Sequence, residues 1–151
     1  MSSLGSCFPD YLRENFSARQ ITPGSVLRIY ASSTTPPKIK RIVILAITDD
    51  NICVGYLFVN SEINPNCFPT PELRRLHLPL QTVGRTYLDH DSYLDCSDVK
   101  EIPFNELKEI LSNDPQKHIG KLSDSDFKQA TELVKSALTI SKKQKQKYRI
   151  I

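Results

Sequence analysis

The stretch Ile42-Val43-Ile44-Leu45-Ala46-Ile47 decides the fold class, because it is the longest uninterrupted apolar run in the chain. Such a run suits a strand buried on both faces, and we predict that this strand covers residues 39–48. Before it, Ser25–Ala31 has strand character and is followed by a polar loop that two prolines keep extended. After it, Asp49-Asp50-Asn51 consists of residues that favour turns, so residues 52–60 should return as a hairpin strand. The sequence therefore predicts a meander of three antiparallel strands.

Shorter elements complete the predicted fold. Strand character returns at residues 77–80, 92–99 and 99–102, and residues 105–112 resemble a short amphipathic helix. Ser123 is a favourable N-cap with Asp126 in the capping-box position, and the helix that follows carries an apolar stripe to about Ile140. Another short helix is expected within residues 1–22. We therefore predict an α+β fold, a small coiled antiparallel sheet or barrel with a short N-terminal helix and a packed C-terminal helix.

Composition excludes several classes of protein. The chain has 151 residues, enough for one domain with its own core, and its 39% apolar and 25% charged fractions are those of a globular protein. No run approaches the roughly 18 apolar residues of a membrane helix, and the first residues do not resemble a signal peptide, so a cytoplasmic location without membrane contact is expected. The four cysteines are widely spaced, with no pair at zinc-ligand spacing, so we expect no metal, no cofactor and no disulfide framework.

The net charge of +3 is unevenly distributed. Five positive charges and no acidic residue lie in residues 142–149, and without them the remaining chain carries a net charge of −2. The domain itself is therefore not a basic nucleic-acid-binding surface, and any attraction for phosphate must come from local clusters or from this segment. The simplest interpretation of residues 142–149 is a solvated, frayed extension of the last helix. The alternative is an electrostatic contact with RNA or with an acidic protein segment.

Residues 87–97 carry the densest group of chemically active side chains. Within eleven residues lie three aspartates, His90, two serines and one cysteine, among aromatic and leucine side chains that would anchor the segment in a core. The apolar spacing after Ser92 suggests a strand that buries one face and offers Ser92, Asp95 and Ser97 on the other. The alternative is a tight turn at residues 89–91 that leads into an ordinary strand.

The order of these segments resembles the PemK/MazF (Kid-like) toxins of bacterial toxin–antitoxin systems. The resemblance rests on spacing along residues 23–141 and leaves 1–22 as an N-terminal helical extension and 142–151 as a basic tail. The stretches that carry it are Pro23-Gly24-Ser25-Val26, Arg41-Ile42-Val43-Ile44-Leu45, Val59-Asn60-Ser61, Leu94-Asp95-Cys96-Ser97-Asp98-Val99-Lys100-Glu101-Ile102 and Ile119-Gly120-Lys121-Leu122-Ser123. The segments 60–64 and 89–93 are longer than in the best-known members and suggest a divergent phage or plasmid branch.

The resemblance implies an SH3-like barrel of the MazF/CcdB kind that cleaves single-stranded RNA without metal, usually as a homodimer restrained by an antitoxin protein. The family arginine at the start of the second strand corresponds to Lys40-Arg41, and the hydroxyl after the third strand corresponds to Ser61. The family arginine and aspartate near the fifth strand fall on Asp95 and Ser97, so a cation has become an anion and an acid has become a hydroxyl. Either His90 and Asp91 take over the proton transfers, or this chain does not cleave by the family route.

Two functions from different classes follow. The first is a toxin that cleaves single-stranded RNA; its expected catalytic residues are Arg41, Ser61, His90, Asp91 and Asp95, and its expected RNA-binding residues are Lys38, Lys40, Asn60, Asn64, Ser92 and Ser97. This hypothesis requires the start of the second strand, the turn after the third and residues 87–97 to converge on one groove. The second is a non-catalytic SH3-like module that binds nucleic acid or a protein partner, in which the same side chains cap turns or remain solvated.

Overall fold

The computed structural model describes residues 16–32 and 34–150 as an α+β fold built on a curled antiparallel sheet. The strand order is β4-β5-β3-β2-β1-β7, and β6 also pairs with β3. The strands are β1 (Ser25–Ala31), β2 (Lys38–Ile47), β3 (Cys53–Asn60), β4 (His77–Leu80), β5 (Ser92–Asp95), β6 (Lys100–Pro103) and β7 (His118–Lys121). Residues 16–20 are helical, and the helices that follow are α1 (Pro71–Arg74), α2 (Phe104–Asn113), α3 (Asp124–Ser136) and α4 (Lys142–Lys147), with a 3-10 turn at Pro115–Lys117.

Strand β2 lies at the centre of the molecule and is buried on both faces, which confirms the prediction from its apolar run. Val43 and Leu45 belong to one core cluster, whereas Ile42 and Ile44 belong to a second cluster on the opposite face. The predicted meander is also confirmed, because β2 pairs antiparallel with both β1 and β3. The turn after β2 is held by the Asp50 carboxylate, which accepts hydrogen bonds from the Thr48 hydroxyl and the Ile52 amide.

Helices cover the two faces of the sheet. Ala130 and Val134 of α3 pack in the first core cluster, and Leu107 and Leu111 of α2 pack in the second. Helix α3 begins as predicted, with the Ser123 hydroxyl accepting a hydrogen bond from the Asp126 amide. Its predicted end at Ile140 is wrong, because the backbone becomes extended at Ala137 and leaves the side chain of Leu138 fully outside the core.

The C-terminal segment is part of the core, so its interpretation as a solvated, frayed helix extension is wrong. Ser141 caps a separate helix, α4, and beyond it Tyr148 and Ile150 are buried among the residues of the first core cluster. The aromatic ring of Tyr148 lies against Gly55 of β3 so closely that a Cβ there would be 3.1 Å from the ring. The lysines of α4 remain at the surface, where Lys147 pairs with Glu101 of β6 at 2.6 Å.

The connection between β4 and β5, residues 81–91, joins the two ends of the curled sheet. Arg85 donates two hydrogen bonds of 2.9 Å to the Asp126 carboxylate of α3. Tyr87 is buried against Gly120 of β7. A Cβ atom at position 120 would lie only 3.0 Å from the tyrosine side chain, so glycine leaves the room that Tyr87 needs. Since β4 and β7 are the first and last strands of the sheet order, this connection closes the open side of the sheet with side chains.

The expected strand over residues 92–99 ends early, at Asp95. The expectation that one face of it offers Ser92 and Ser97 is wrong, because both serines are buried. The short N-terminal helix falls mostly outside the described residues, of which 16–20 are helical. The division of the chain at residues 22 and 141 stays a prediction. In the described part of the chain, no helix combines the length and apolarity needed to cross a bilayer.

Candidate functional site

The register of the sheet places Lys40 and Arg41 on opposite faces. Side chains alternate along a strand, and residues directly opposite each other in an antiparallel pair share a face. Arg41 lies opposite Val59, whose side chain packs in the first core cluster. Lys40 therefore shares the other face with Asn60, and the two side chains are hydrogen bonded through the Lys40 ammonium and the Asn60 carbonyl oxygen.

Two neighbouring rows of side chains cross the sheet on that second face. The first row runs from Lys40 through Asn60 to Tyr93, which pairs with Asn60. The second row includes Phe58, two residues before Asn60, then Asp95, two residues after Tyr93, and His77, which pairs with Asp95. Lys100 lies opposite Tyr56 and joins the same face from β6. We call this surface the Lys40 face, made of Lys40, Phe58, Asn60, His77, Tyr93, Asp95 and Lys100.

Two ammonium groups flank one aromatic ring on the Lys40 face. The Nζ atoms of Lys40 and Lys100 lie 5.2 Å and 5.6 Å from the centre of the Phe58 ring, within the range of cation–π attraction. Burial lowers the pKa of Lys40, and the nearby charge of Lys38 lowers it further, whereas Asp95 opposes both effects. A partly desolvated ammonium with a lowered pKa attracts an anion strongly and releases a proton more readily than an exposed lysine.

Asp95 connects the exposed part of this face to a buried histidine. Its Oδ1 atom accepts hydrogen bonds from the amide and the hydroxyl of Ser97, at 2.9 Å and 2.5 Å. The same oxygen lies 4.0 Å from Nε2 of His77, whose side chain is 0% exposed. The Phe68 ring covers the imidazole, with 4.2 Å between ring centres. Burial lowers the pKa of His77, and the charge of Asp95 opposes this only in part, so the ring is neutral near pH 7.

Arg41 lies on the opposite face of the sheet, and its guanidinium already has hydrogen-bond partners. Its Nε donates a hydrogen bond of 2.9 Å to the Tyr87 carbonyl oxygen, and a terminal nitrogen pairs with the Asp89 carboxylate at 2.7 Å. Arg28 lies directly opposite Arg41 on β1, so this carboxylate also reduces the repulsion between two neighbouring cations. These contacts hold the 81–91 connection on the sheet.

The contacts of His90, Asp91 and Ser92 are those of a turn. Nδ1 of His90 lies 3.0 Å from the Asp91 carbonyl oxygen and 3.3 Å from the Ser92 hydroxyl, which donates to the His90 carbonyl oxygen at 2.9 Å. The Asp91 carboxylate accepts hydrogen bonds from the amide and the hydroxyl of Thr82. None of these contacts reaches the Lys40 face.

The remaining predicted residues are exposed. Lys38 extends the Lys40 face at the start of β2, two residues before Lys40. The Asn64 side chain accepts a hydrogen bond of 2.9 Å from the Asn66 amide. Ser61 follows the end of β3, and no hydrogen bond or ion pair within residues 16–32 and 34–150 joins it to Arg41 or His90. Arg41 does contact residues 87–97, through Tyr87 and Asp89, and the convergence of Arg41, Ser61 and His90 on one groove stays a prediction. On the Lys40 face, Lys40 is hydrogen bonded to Asn60, and Asp95 is hydrogen bonded to Ser97.

Sequence reasoning missed four side chains of the Lys40 face, namely Phe58, His77, Tyr93 and Lys100. It also missed Phe68, whose ring covers His77. His77 and Lys100 lie on separate short strands, and only the pairing of those strands with β5 and β3 brings them to this surface. Within the part of the chain that the structure describes, no three His, Cys, Asp or Glu side chains are grouped as metal ligands would be.

Comparison with known proteins does not assign this chain to a family. No protein-family model matches the sequence, and a search of curated proteins finds no significant similarity. The functional argument therefore depends on the side chains themselves.

Proposed function

We propose that this protein is the toxin of a toxin–antitoxin system, a metal-independent endoribonuclease that binds and cleaves single-stranded RNA on the Lys40 face. In this proposal the curled sheet is a divergent SH3-like barrel of the PemK/MazF kind, which acts in the cytoplasm, is restrained by an antitoxin protein and forms a homodimer. The observation that carries the proposal is the pair of adjacent rows that bring cations, aromatic rings, an amide and a carboxylate together on one surface of the sheet.

The residue types of the Lys40 face match the chemistry of single-stranded RNA. Lysine ammonium groups bind the phosphate backbone, and aromatic rings on a sheet stack with unpaired bases. Lys40 and Lys100 would supply the phosphate contacts beside Phe58, and Tyr93 offers a second ring in the neighbouring row. Lys40 donates to Oδ1 of Asn60, so the Nδ2 group of the same side chain can donate to a phosphate or a base edge.

The same residues can perform a cleavage that balances without a metal. The Asp95 carboxylate takes the proton of a ribose 2′-hydroxyl, and the 2′-oxygen attacks the adjacent phosphorus. The Lys40 ammonium stabilises the charge on the phosphorane and gives a proton to the 5′-oxygen as the bond from phosphorus to that oxygen breaks. The products are a 2′,3′-cyclic phosphate and a 5′-hydroxyl. Arg41 has no direct part in this scheme, because Asp89 and the Tyr87 carbonyl already occupy its guanidinium.

The test is incubation of the purified protein with end-labelled single-stranded RNA in excess chelator. We expect fragments that end in a cyclic phosphate, and a loss of at least roughly 100-fold in rate for Asp95→Asn, as for the removal of a general base. Asp124→Asn is the control, since it removes an exposed carboxylate in the first turn of α3, outside the Lys40 face. Intact RNA with the wild-type protein would remove the proposal.

A second function is favoured by one specific observation. Asp95 Oδ1 already accepts hydrogen bonds from the amide and the hydroxyl of Ser97, which is how an aspartate stabilises a local turn without any catalytic role. The Lys40 face would then belong to a non-catalytic module that holds nucleic acid or a protein partner. Measurable RNA affinity that depends on Lys40, without cleavage products over many hours, would favour this function over the nuclease.

A further inference from the structure

His77 is an unusual residue to find in the interior of this sheet. Its side chain is fully enclosed, and neither ring nitrogen has a hydrogen-bond partner. A buried polar group without a partner destabilises the folded state, and a phenylalanine ring would fill a similar space without that cost. An orphaned buried imidazole in a native protein therefore calls for an explanation, and function is one of the few available.

The nearest polar atom points to what the imidazole is for. Nε2 of His77 lies 4.0 Å from Asp95 Oδ1, about 1 Å beyond the length of a normal hydrogen bond. Because burial keeps the ring neutral, it carries one N–H donor, which can turn to the carboxylate. A small approach of the two strands or of the ring would complete this hydrogen bond.

The segment that covers His77, residues 64–75, is held largely by its own hydrogen bonds. Most hydrogen bonds of residues 64–75 stay within the segment, including the amides of Cys67 and Phe68 to the Asn64 carbonyl and Arg74 Nε to the Phe68 carbonyl. Directly after the segment, the Leu76 carbonyl accepts a hydrogen bond from the Cys96 amide and ties the chain to the sheet. Phe68 thus rests on the imidazole through ring contact.

We propose that His77 is a positioning residue for Asp95. When RNA occupies the Lys40 face and displaces Phe68, the Nε2–H group of His77 closes on Asp95 Oδ1. Asp95 Oδ2 is then held towards the ligand. This inference rests on the proposed function, since it assigns to Asp95 a role in RNA binding and cleavage. It also explains why a destabilising imidazole occupies an apolar position.

Two substitutions test the proposal against a purely structural role. His77→Phe keeps a ring of similar volume but removes the N–H donor. Because it also removes a buried polar group without a partner, the folded state should become more stable, and we expect the melting temperature to rise by about 2–4 °C in a chain of this size. We also expect kcat to fall roughly 10- to 100-fold, as when a residue that orients a functional group is lost, with KM unchanged. His77→Gln retains an N–H donor and should recover most of kcat. His118→Phe, a half-buried histidine on β7, is the control and should leave kcat unchanged.

A lower melting temperature together with a lower kcat for His77→Phe would mark His77 as a structural residue and overturn the proposal. A wild-type kcat for His77→Phe would also overturn it.

A second measurement separates this proposal from the nuclease function. The ring N–H resonance of His77 is followed by NMR while an oligoribonucleotide with 2′-O-methyl groups, which cannot be cleaved, is added to saturation. We expect a downfield shift as the hydrogen bond forms. A shift in a protein that cleaves no RNA would retain the role of His77 and remove only cleavage, whereas no shift in the bound complex would overturn the role and leave cleavage standing. Absence of binding would remove both.

Discussion

The burial of Tyr148 gives the most quantitative prediction for stability. An aromatic side chain buries roughly 150–250 Å², which at about 25 cal/mol per Å² amounts to roughly 4–6 kcal/mol. Replacement of such a ring by alanine typically costs about 3–5 kcal/mol. The space left by Tyr148→Ala is bordered by the backbone of Gly55 in β3, which is fixed by pairing with β2 and β6 and cannot collapse into it. We therefore expect a loss of about 4 kcal/mol, and at about 2–4 °C per kcal/mol a fall in melting temperature of roughly 8–16 °C.

The assay is urea unfolding followed by circular dichroism, with Tyr148→Phe and Leu138→Ala as controls. The Tyr148 hydroxyl is buried without a partner, so Tyr148→Phe should leave the free energy of unfolding unchanged or raise it slightly. Leu138 is 99% exposed and its replacement should have no effect. A change below about 1 kcal/mol for Tyr148→Ala, the level of an ordinary surface substitution, would refute the burial of the C-terminal segment and restore the frayed tail.

Two other predictions concern the closure of the sheet and its response to pH. Gly120→Ala places a methyl group 3.0 Å from the Tyr87 side chain and should lower the free energy of unfolding by about 1–3 kcal/mol. Proteolysis within residues 81–91 should then become faster, and an unchanged rate of proteolysis there would contradict the contact. Burial lowers the pKa of His77 and His118, so below about pH 6.5 the unfolded chain binds protons that the folded protein excludes. Their contribution to stability is complete above that pH and is lost as the pH falls, so His77→Phe should reduce the acid slope of the unfolding free energy below about pH 6.5. An unchanged slope would mean that the imidazole is not held neutral.

The central strands could be predicted from sequence because the signal is local. An apolar run such as Ile42–Ile47 has few alternatives to a strand buried on both faces, and the turn residues after it fix the direction of the next strand. The same local rule located the N-cap at Ser123. Short strands such as β7 could not be found in this way, since His118–Lys121 has no apolar pattern of its own and depends on pairing with β1.

The C-terminal segment was misinterpreted because its composition and its packing disagree. Five cations among residues 142–149 indicate a solvated segment, and the lysines of α4 do remain at the surface. What ties the segment down is its end, where Tyr148 and Ile150 enter the first core cluster. Whether two apolar residues after a polar helix find a cavity depends on the arrangement of the whole sheet, which no local pattern contains.

The sequence alone could predict only part of the candidate site. Strand alternation alone separates Lys40 from Arg41, and this signal was present in the sequence. Which of the two faces remains open to a ligand depends on the 81–91 connection, because Asp89 and the Tyr87 carbonyl take the Arg41 guanidinium. Ser92 and Ser97 were expected to face solvent because they are polar, yet each is buried with a hydrogen-bond partner within two residues. Local partners of this kind satisfy a hydroxyl without water.

The most direct measurement compares Lys40→Ala with Arg41→Ala in binding a single-stranded RNA that cannot be cleaved, by fluorescence anisotropy at several salt concentrations. These neighbouring cations lie on opposite faces of one strand, so each variant is the control for the other. Loss of a charged phosphate contact is worth about 1.5–3 kcal/mol, so Lys40→Ala should weaken binding by roughly 10- to 100-fold and reduce the salt dependence by about one ion. Arg41→Ala should bind like the wild type. Weakened binding for Arg41→Ala with unchanged binding for Lys40→Ala would place the RNA on the other face of the sheet and contradict the account.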